Sequence, residues 1–225
     1  MVAAVLDRGV LVSDVFQEVD EEVRRDSLLR LWKRYQYVVV AAAVLIVAGS
    51  GAYSYWRYHD QQQRDAEGVK YAAALDQARA GKYAEAADAL TALASDAHAG
   101  RAVLARFEAA ALRARAGDET AAIAAYDAIA KDGAVDPLYR DLATVLWGLQ
   151  ALDTSDPQPI IDRMAAITDA KNPWHSSAIE VTAIAHLKAG DRAAARTDYQ
   201  KLADDLAAPQ GMRARAAEMV AALAA

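Results

Sequence analysis

Three stretches decide the fold: Ala80-GKYAEAADALTAL-Ala94, Ala116-GDETAAIAAYDAI-Ala130 and Ala189-GDRAAARTDYQKL-Ala203. In each, a charged residue follows a Gly, and an Ala stands five residues after that Gly (Ala86, Ala122, Ala195). A large residue comes four positions later (Leu90, Tyr126, Tyr199), and an aliphatic one three beyond it (Leu93, Ile129, Leu202). Spacings of four and three keep these side chains on one face of a helix. Gly81 to Gly117 spans 36 residues, and Gly117 to Gly190 spans 73. A gap of twice the period predicts a fourth, degenerate copy, with its turn near Asp153–Asp156.

The pattern resembles the tetratricopeptide repeat (TPR), a pair of antiparallel helices, A and B. In that repeat the Gly closes the turn, the Ala lets helix B approach its neighbour, and the larger residues fill the gap to the next pair. The likeness is good in helix B. In helix A the usual aromatic and Leu-Gly are missing and the closing Pro is displaced, so the repeats are TPR-like and divergent. Asp136-Pro137, Asp156-Pro157 and Asn172-Pro173 each place a capping side chain before a Pro at the first helical position. Helices are predicted over 60–80, 84–95, 100–116, 119–131, 137–152, 157–168, 173–189 and 192–207. A ninth, after Pro209 over 210–224, would close the open end of the stack. The expected fold is therefore all-α. A single N-terminal transmembrane helix precedes a TPR-like α-solenoid of about four helix pairs and a C-terminal capping helix.

Composition agrees. About a quarter of the 225 residues are Ala, the best helix former, and Gly (11) and Pro (5) are few. From Arg57 onward 19 Lys and Arg face 24 Asp and Glu, a balance of -5. Such a surface repels phosphate backbones and argues against nucleic-acid binding. With no Cys, thiol catalysis, zinc–thiolate sites and disulfides are excluded.

No charged residue lies between Tyr35 and Trp56, around the core Tyr37-VVVAAAVLIVAGSGAYSY-Trp56. Twenty-two helical residues reach roughly 33 Å, the thickness of a bilayer's hydrocarbon core. Val38, Val39, Val40, Val44, Leu45, Ile46 and Val47 together favour insertion by about 3 kcal/mol. Tyr35, Tyr37, Tyr53, Tyr55, Trp56 and Tyr58 cluster at the two ends, where amphipathic rings prefer the interface. A buried core helix would show a polar stripe, and a cleaved leader would start nearer the N-terminus with a shorter apolar run. An uncleaved membrane anchor over 35–56 is therefore expected. Arg24, Arg25, Arg30, Lys33 and Arg34 precede it, against Arg57, Arg64 and Lys70 after it. That excess predicts a cytoplasmic tail over 1–34 and an extracytoplasmic domain over 57–225. Ala48 and Ala52 form one small-xxx-small pair, usually just lipid-facing. The first repeat helix is expected to continue from the span through His59-DQQQRDAEG, with little linker.

The tail segment Ser13-DVFQEVDEEVRR-Asp26 reads as an amphipathic helix capped by Ser13 or Asp14, with Phe16, Val19 and Val23 on one face. Residues 1–12 are apolar and uncapped, which suggests that translation starts at Val12. No Walker loop, HExxH, G-x-S-x-G or dinucleotide fingerprint occurs, so neither enzyme activity nor a cofactor or metal site is expected. His59, His98, His175 and His186 are far apart in sequence, and Asp204-Asp205 reads as solvated charge. Trp147 and Trp174 are expected in the core.

A binding face is the better candidate. Helix A lines the concave side of a TPR stack. Counting back from the turn glycines places Tyr71, Leu75 and Arg79 there, then Phe107 and Arg115, then Ile184 and Lys188. Arg79, Arg115 and Lys188 share one repeat position beside apolar patches, an arrangement suited to an extended peptide or a partner helix. The alternative is that the apolar side chains pack the superhelix and the cations serve helix C-termini.

The acidic-then-basic tail, the single span and the Gly-x-x-x-x-Ala repeats together resemble the ancillary SecYEG translocon subunit family (YfgM-like). These are single-span inner-membrane proteins with a periplasmic TPR-like domain, and the likeness runs from about Ser13 to the C-terminus. It implies association with SecYEG and with a membrane-anchored periplasmic chaperone of the prolyl-isomerase type. The implied role is a non-enzymatic adaptor or chaperone for unfolded, newly translocated envelope proteins. A structural scaffold for a cell-wall or division assembly is the alternative.

Overall fold

A computed structural model describes residues 10–224, in side-chain detail from Trp32 onward except at Ala99. The expectation of a translation start at Val12 concerns residues that lie mostly outside that range. The described residues form nine α-helices and no strand. They are α1 (Val10–Arg79), α2 (Tyr83–Asp96), α3 (Ala99–Arg115), α4 (Glu119–Ala130), α5 (Pro137–Ala151), α6 (Pro157–Ala165), α7 (His175–Lys188), α8 (Arg192–Asp204) and α9 (Gln210–Ala224). The chain divides into two compact units, up to Gln62 and from Gln63 onward.

In the first unit, Ser13 and Asp14 lie inside a helix already formed at Val10, so neither caps a new one. The face shared by Phe16, Val19 and Val23 lies outside the residues described at side-chain level. One stretch of α1 is long and apolar enough to cross a membrane. None of it is buried: Val38 is 62% exposed, Leu45 72% and Ile46 71%. That exposure is what a candidate span requires and a soluble core helix does not show. The guanidinium of Arg34 lies 5.9 Å from the Tyr35 ring, and that of Arg57 lies 5.7 Å from Tyr53. Each end of the apolar stretch thus pairs a cation with an aromatic ring, the chemistry of a membrane–water interface.

The second unit is four helix pairs and a closing helix. The C-terminal part of α1 pairs with α2, α3 with α4, α5 with α6, and α7 with α8, while α9 covers the end. Three of the A-to-B turns are the same structure. Gly81, Gly117 and Gly190 have φ of 80°, 83° and 80°, a region that L side chains rarely adopt. After each, a backbone N–H reaches back five residues: Lys82 to Gln77, Asp118 to Arg113, and Asp191 to His186, at 2.9–3.0 Å. This closes helix A with the paired bonds of a Schellman motif. The next residue then starts helix B. Asp118 accepts from the Ala121 N–H at 3.0 Å and Asp191 from Ala194 at 2.9 Å, whereas Lys82 has no capping side chain.

The fourth copy turns between Ala151 and Pro157 without a left-handed residue. Ile160, Met164 and Ile167 repeat the spacing of Ala122, Tyr126 and Ile129, and all six are buried. That register puts Ser155 where the other copies have Gly. Counting back seven residues gives Ala74, Ala110, Gly148 and Ala183, all buried on helix A. The third pair has therefore exchanged its small residues. Ile replaces Ala on helix B, and Gly replaces Ala on helix A. A Cβ on Gly148 would lie 3.0 Å from Met164 Cε, 3.1 Å from Val181 Cγ1 and 3.6 Å from Ile160 Cγ2. Glycine is needed there because larger neighbours press against the helix backbone.

Two of the three expected Asp/Asn-Pro starts hold. Asp136 accepts from Leu138 at 2.8 Å and Asp156 from Gln158 at 3.0 Å, each with Pro at the start of the helix. Asn172-Pro173 does not start a helix: α7 begins at His175. Asn172 Oδ1 accepts from the Trp174 N–H at 2.9 Å, and its Nδ2 donates to Asp141 at 2.7 Å. The side chain is used to hold a turn against α5, and the helix begins only after it. Trp174 and Trp147 are half-buried at the edge of the core between α5, α6 and α7.

Candidate partner-binding face

With the fourth register known, each A helix contributes to the same rows. Ten residues before the turn stand Tyr71, Phe107, Val145 and Glu180. Six before stand Leu75, Ala111, Leu149 and Ile184, an apolar residue in every repeat. Two before stand Arg79, Arg115, Asp153 and Lys188. A spacing of four places the three rows on one face of each helix.

Burial differs along the rows. Tyr71 packs on the cluster built by Ala74, Leu90 and Ala105, and Phe107 on that of Ala110, Tyr126 and Ile129. The Phe107 and Tyr126 rings are 6.2 Å apart and tilted. Val145 is buried outright, and Ile184 sits half-buried between the third and fourth clusters. Leu75 is half-buried, while Leu149 is 41% exposed. Leu104, one turn ahead of Phe107, is 56% exposed. Leu104 and Leu149 are the large apolar side chains here that the sequence did not single out. Leu149 was hidden because its register depends on Ile160, which breaks the Gly-x-x-x-x-Ala signature.

The cations have different surroundings. Arg79 pairs with Asp76 of its own helix at 2.7 Å, with both side chains largely exposed, an interaction of small net value. Lys188 donates to the Leu152 carbonyl, just past the end of α5. Arg115 is exposed and forms no ion pair among the described residues. Asp153 interrupts the basic row in the third pair. Glu108 lies near both Tyr71 and Tyr126. Burial first, and that carboxylate second, push both phenols above their ordinary pKa, with Arg115 opposing at Tyr126. Both hydroxyls thus stay protonated donors.

Three of the four histidines each meet a carboxylate of another element: His98, His175 and His186. His98 Nδ1 lies 2.7 Å from Glu67 Oε1, which also accepts from the His98 backbone N–H at 3.3 Å. Arg101 donates to Glu67 Oε2 at 3.0 Å and to the Arg64 carbonyl. Burial opposes ionisation of Glu67, yet these donors hold its pKa below the usual value. His186 Nδ1 lies 2.9 Å from Asp198, which also accepts from Lys201 at 2.9 Å.

Asp205 is likewise a partnered group and not simply solvated charge. His175 Nε2 is 2.7 Å from its Oδ2, Ser176 Oγ donates to the same oxygen at 3.2 Å, and the Ala207 N–H reaches Oδ1 at 2.9 Å. Ser, His and Asp meet here, but not as a nucleophile and its base. His175 Nδ1 faces the Asn172 carbonyl at 2.9 Å, so both ring nitrogens point at acceptors. The Asp205 carboxylate, with that carbonyl second, raises the His175 pKa, and His175 lowers that of Asp205. Ser176 Oγ also lies 3.1 Å from His175 Nε2, but that nitrogen already faces Asp205 at the shorter distance of 2.7 Å, and Ser176 has the same carboxylate as its acceptor. The cluster ties the start of α7 to the loop after α8.

The geometry of four stacked pairs agrees with comparison to known proteins. A family model described as a tetratricopeptide repeat-like domain matches residues 30–219. Comparison with curated proteins and with solved structures found no match. Domains of this kind generally mediate protein–protein interaction. The match runs from just before the apolar stretch of α1 to within α9, and so the chain belongs to the tetratricopeptide repeat-like family.

Proposed function

We propose that the protein is a non-enzymatic, membrane-anchored adaptor that holds partner polypeptides on the A-helix face of its repeat domain. The observation that carries this is the row Leu75, Ala111, Leu149 and Ile184. It offers an apolar residue from every repeat, with Leu104 and Leu149 open to solvent. Exposed leucines beside half-buried aromatic rings give a partner apolar area to cover, while Arg115 supplies charge for orientation.

The apolar stretch of α1 acts as the anchor, with the tail in the cytoplasm and the repeats in the periplasm. The resemblance to ancillary SecYEG subunits suggests the setting. There the domain would hold newly translocated chains, or a prolyl-isomerase-type chaperone, near the channel exit. The test is photo-crosslinking in cells from Tyr71, Phe107, Leu149 and Arg115, with products identified by mass. Adducts to SecYEG subunits, to the chaperone or to translocating chains are expected. Adducts and co-purification that lack all three, but contain a fixed cell-wall or division protein, would replace this role with the scaffold.

A further inference from the structure

The candidate face carries one partly buried charge that nothing balances. Glu108 stands on α3 between Leu104 and Arg115, and separations of four and seven residues keep all three on one face of the helix. Glu108 is half-buried, yet it forms no hydrogen bond or ion pair among the described residues. The other buried or half-buried carboxylates described in side-chain detail, Glu67, Asp127, Asp132 and Asp198 among them, each have a partner. Arg115, two helical turns further on, is exposed and makes no pair with Glu108.

The surroundings suit a cation. The Tyr71 hydroxyl from α1 and the Tyr126 hydroxyl from α4 both lie close enough to feel the carboxylate, and neither donates a hydrogen bond to it among the described residues. Phe107 precedes Glu108 on α3, with its ring 6.2 Å from that of Tyr126. Leu104, one turn before, is 56% exposed. Partial burial strips water from a carboxylate, which costs free energy unless an opposite charge takes the water's place. Aromatic rings draw the same sign of charge, because their faces are negative. The repeat domain is also acidic as a whole, which attracts basic segments at long range.

We infer that Glu108 receives a Lys or Arg side chain of the partner segment held on the A-helix face. The cation pairs with the carboxylate, and the Tyr71 and Tyr126 hydroxyl oxygens are free to accept its remaining N–H groups. Its aliphatic stem lies along Leu104 and Phe107. The inference rests on the adaptor reading of this face and adds the chemistry that is recognised there. An apolar segment with one basic residue is preferred to a segment that is wholly apolar or acidic.

The test uses the full chain in nanodiscs of neutral phosphatidylcholine, with empty nanodiscs as the baseline. The probes are fluorescent peptides of the form Leu-Ser-Leu-X-Leu-Ser-Leu, in which X is Arg, Gln or Glu. Fluorescence anisotropy should show the Arg peptide binding at least about tenfold more tightly than the Gln peptide, and the Glu peptide weaker still. Glu108→Gln should bring the Arg and Gln peptides within about twofold of each other. Glu108→Lys should reverse the order, so that the Glu peptide binds more tightly than the Arg peptide. Glu108→Gln should melt at or above the natural Tm, because it removes an unpaired charge, and melting curves check that both variants fold. Leu104→Asn should weaken even the Gln peptide, which reads the apolar face apart from the charge. Equal affinity for the three peptides, an Arg preference that survives in a folded Glu108 variant, or no binding of the Arg peptide would overturn the inference. With equal affinities, a loss on Leu104→Asn still supports the adaptor face, so the two failures are distinct. With no binding at all, the photo-crosslinking decides the adaptor face by itself.

Discussion

Gly148→Ala tests the packing exchange in the third repeat. In a helix interior, replacing Gly by Ala stabilises by about 1 kcal/mol from propensity alone. Here the new methyl meets Met164 Cε at 3.0 Å and Val181 Cγ1 at 3.1 Å. The methionine end can swing aside. Val181 is 1% exposed and β-branched, with little rotamer freedom to retreat. Forcing a methyl into a packed core costs about 1–3 kcal/mol, so the net effect is about 1 kcal/mol of destabilisation, or about 2–4 °C in Tm. Gly68→Ala is the control, because nothing lies within 4 Å of a Cβ there, and it should raise Tm by about 2 °C. Thermal unfolding of the full chain in detergent, followed by far-UV circular dichroism, reads both. In a Val181→Ala background the same Gly148→Ala change should turn neutral or stabilising, a coupling of about 1 kcal/mol or more. If Gly148→Ala raises Tm as much as Gly68→Ala does with Val181 in place, the close approach does not explain the glycine.

Three further outcomes follow from the turns, caps and tethers of the helix pairs. The raised His175 pKa makes its contribution complete below the unfolded value of 6.5 and lost as pH rises through the folded value. The Tm gap between the natural chain and His175→Gln should therefore shrink from about pH 5 to about pH 8.5, and a flat gap across that range would count against the tether. Gly117→Ala places a side chain at φ of 83° and should cost about 1–2 kcal/mol by denaturant titration, where Gly68→Ala gains. Asp136→Ala removes the acceptor for the Leu138 N–H and should cost about 1 kcal/mol in the same titration.

The helix pairs were legible because their signals are local. Gly followed by a charged residue, Ala at five, and large residues at nine and twelve all act within one turn and its helix. The apolar stretch before Arg57 was legible for the same reason, since length and absence of charge decide it. The third pair was harder to place. Its Ser155 needs no left-handed backbone, and its Ile160 looks like a missing alanine until Gly148 is seen beneath it. Asn172-Pro173 read as a helix start because the same two residues also suit a turn, and the bond to Asp141, 31 residues earlier, favours the turn.

The candidate face was legible in its rows but not in its surroundings. Counting back from three glycines finds Tyr71, Phe107 and Ile184. It cannot tell that Phe107 leans on Tyr126 or that Lys188 reaches the end of α5. Nor can spacing pair Glu67 with His98, or His175 with Asp205, because each pair is about thirty residues apart. The sequence alone determined the candidate span, the repeat period and the charge of the domain, because each is a property of a helix and its solvent. Tertiary structure decided which cations are tied down, which leucines stay open and which half-buried carboxylate is left without a partner. Those depend on the volume and charge that neighbouring repeats bring to a shared surface.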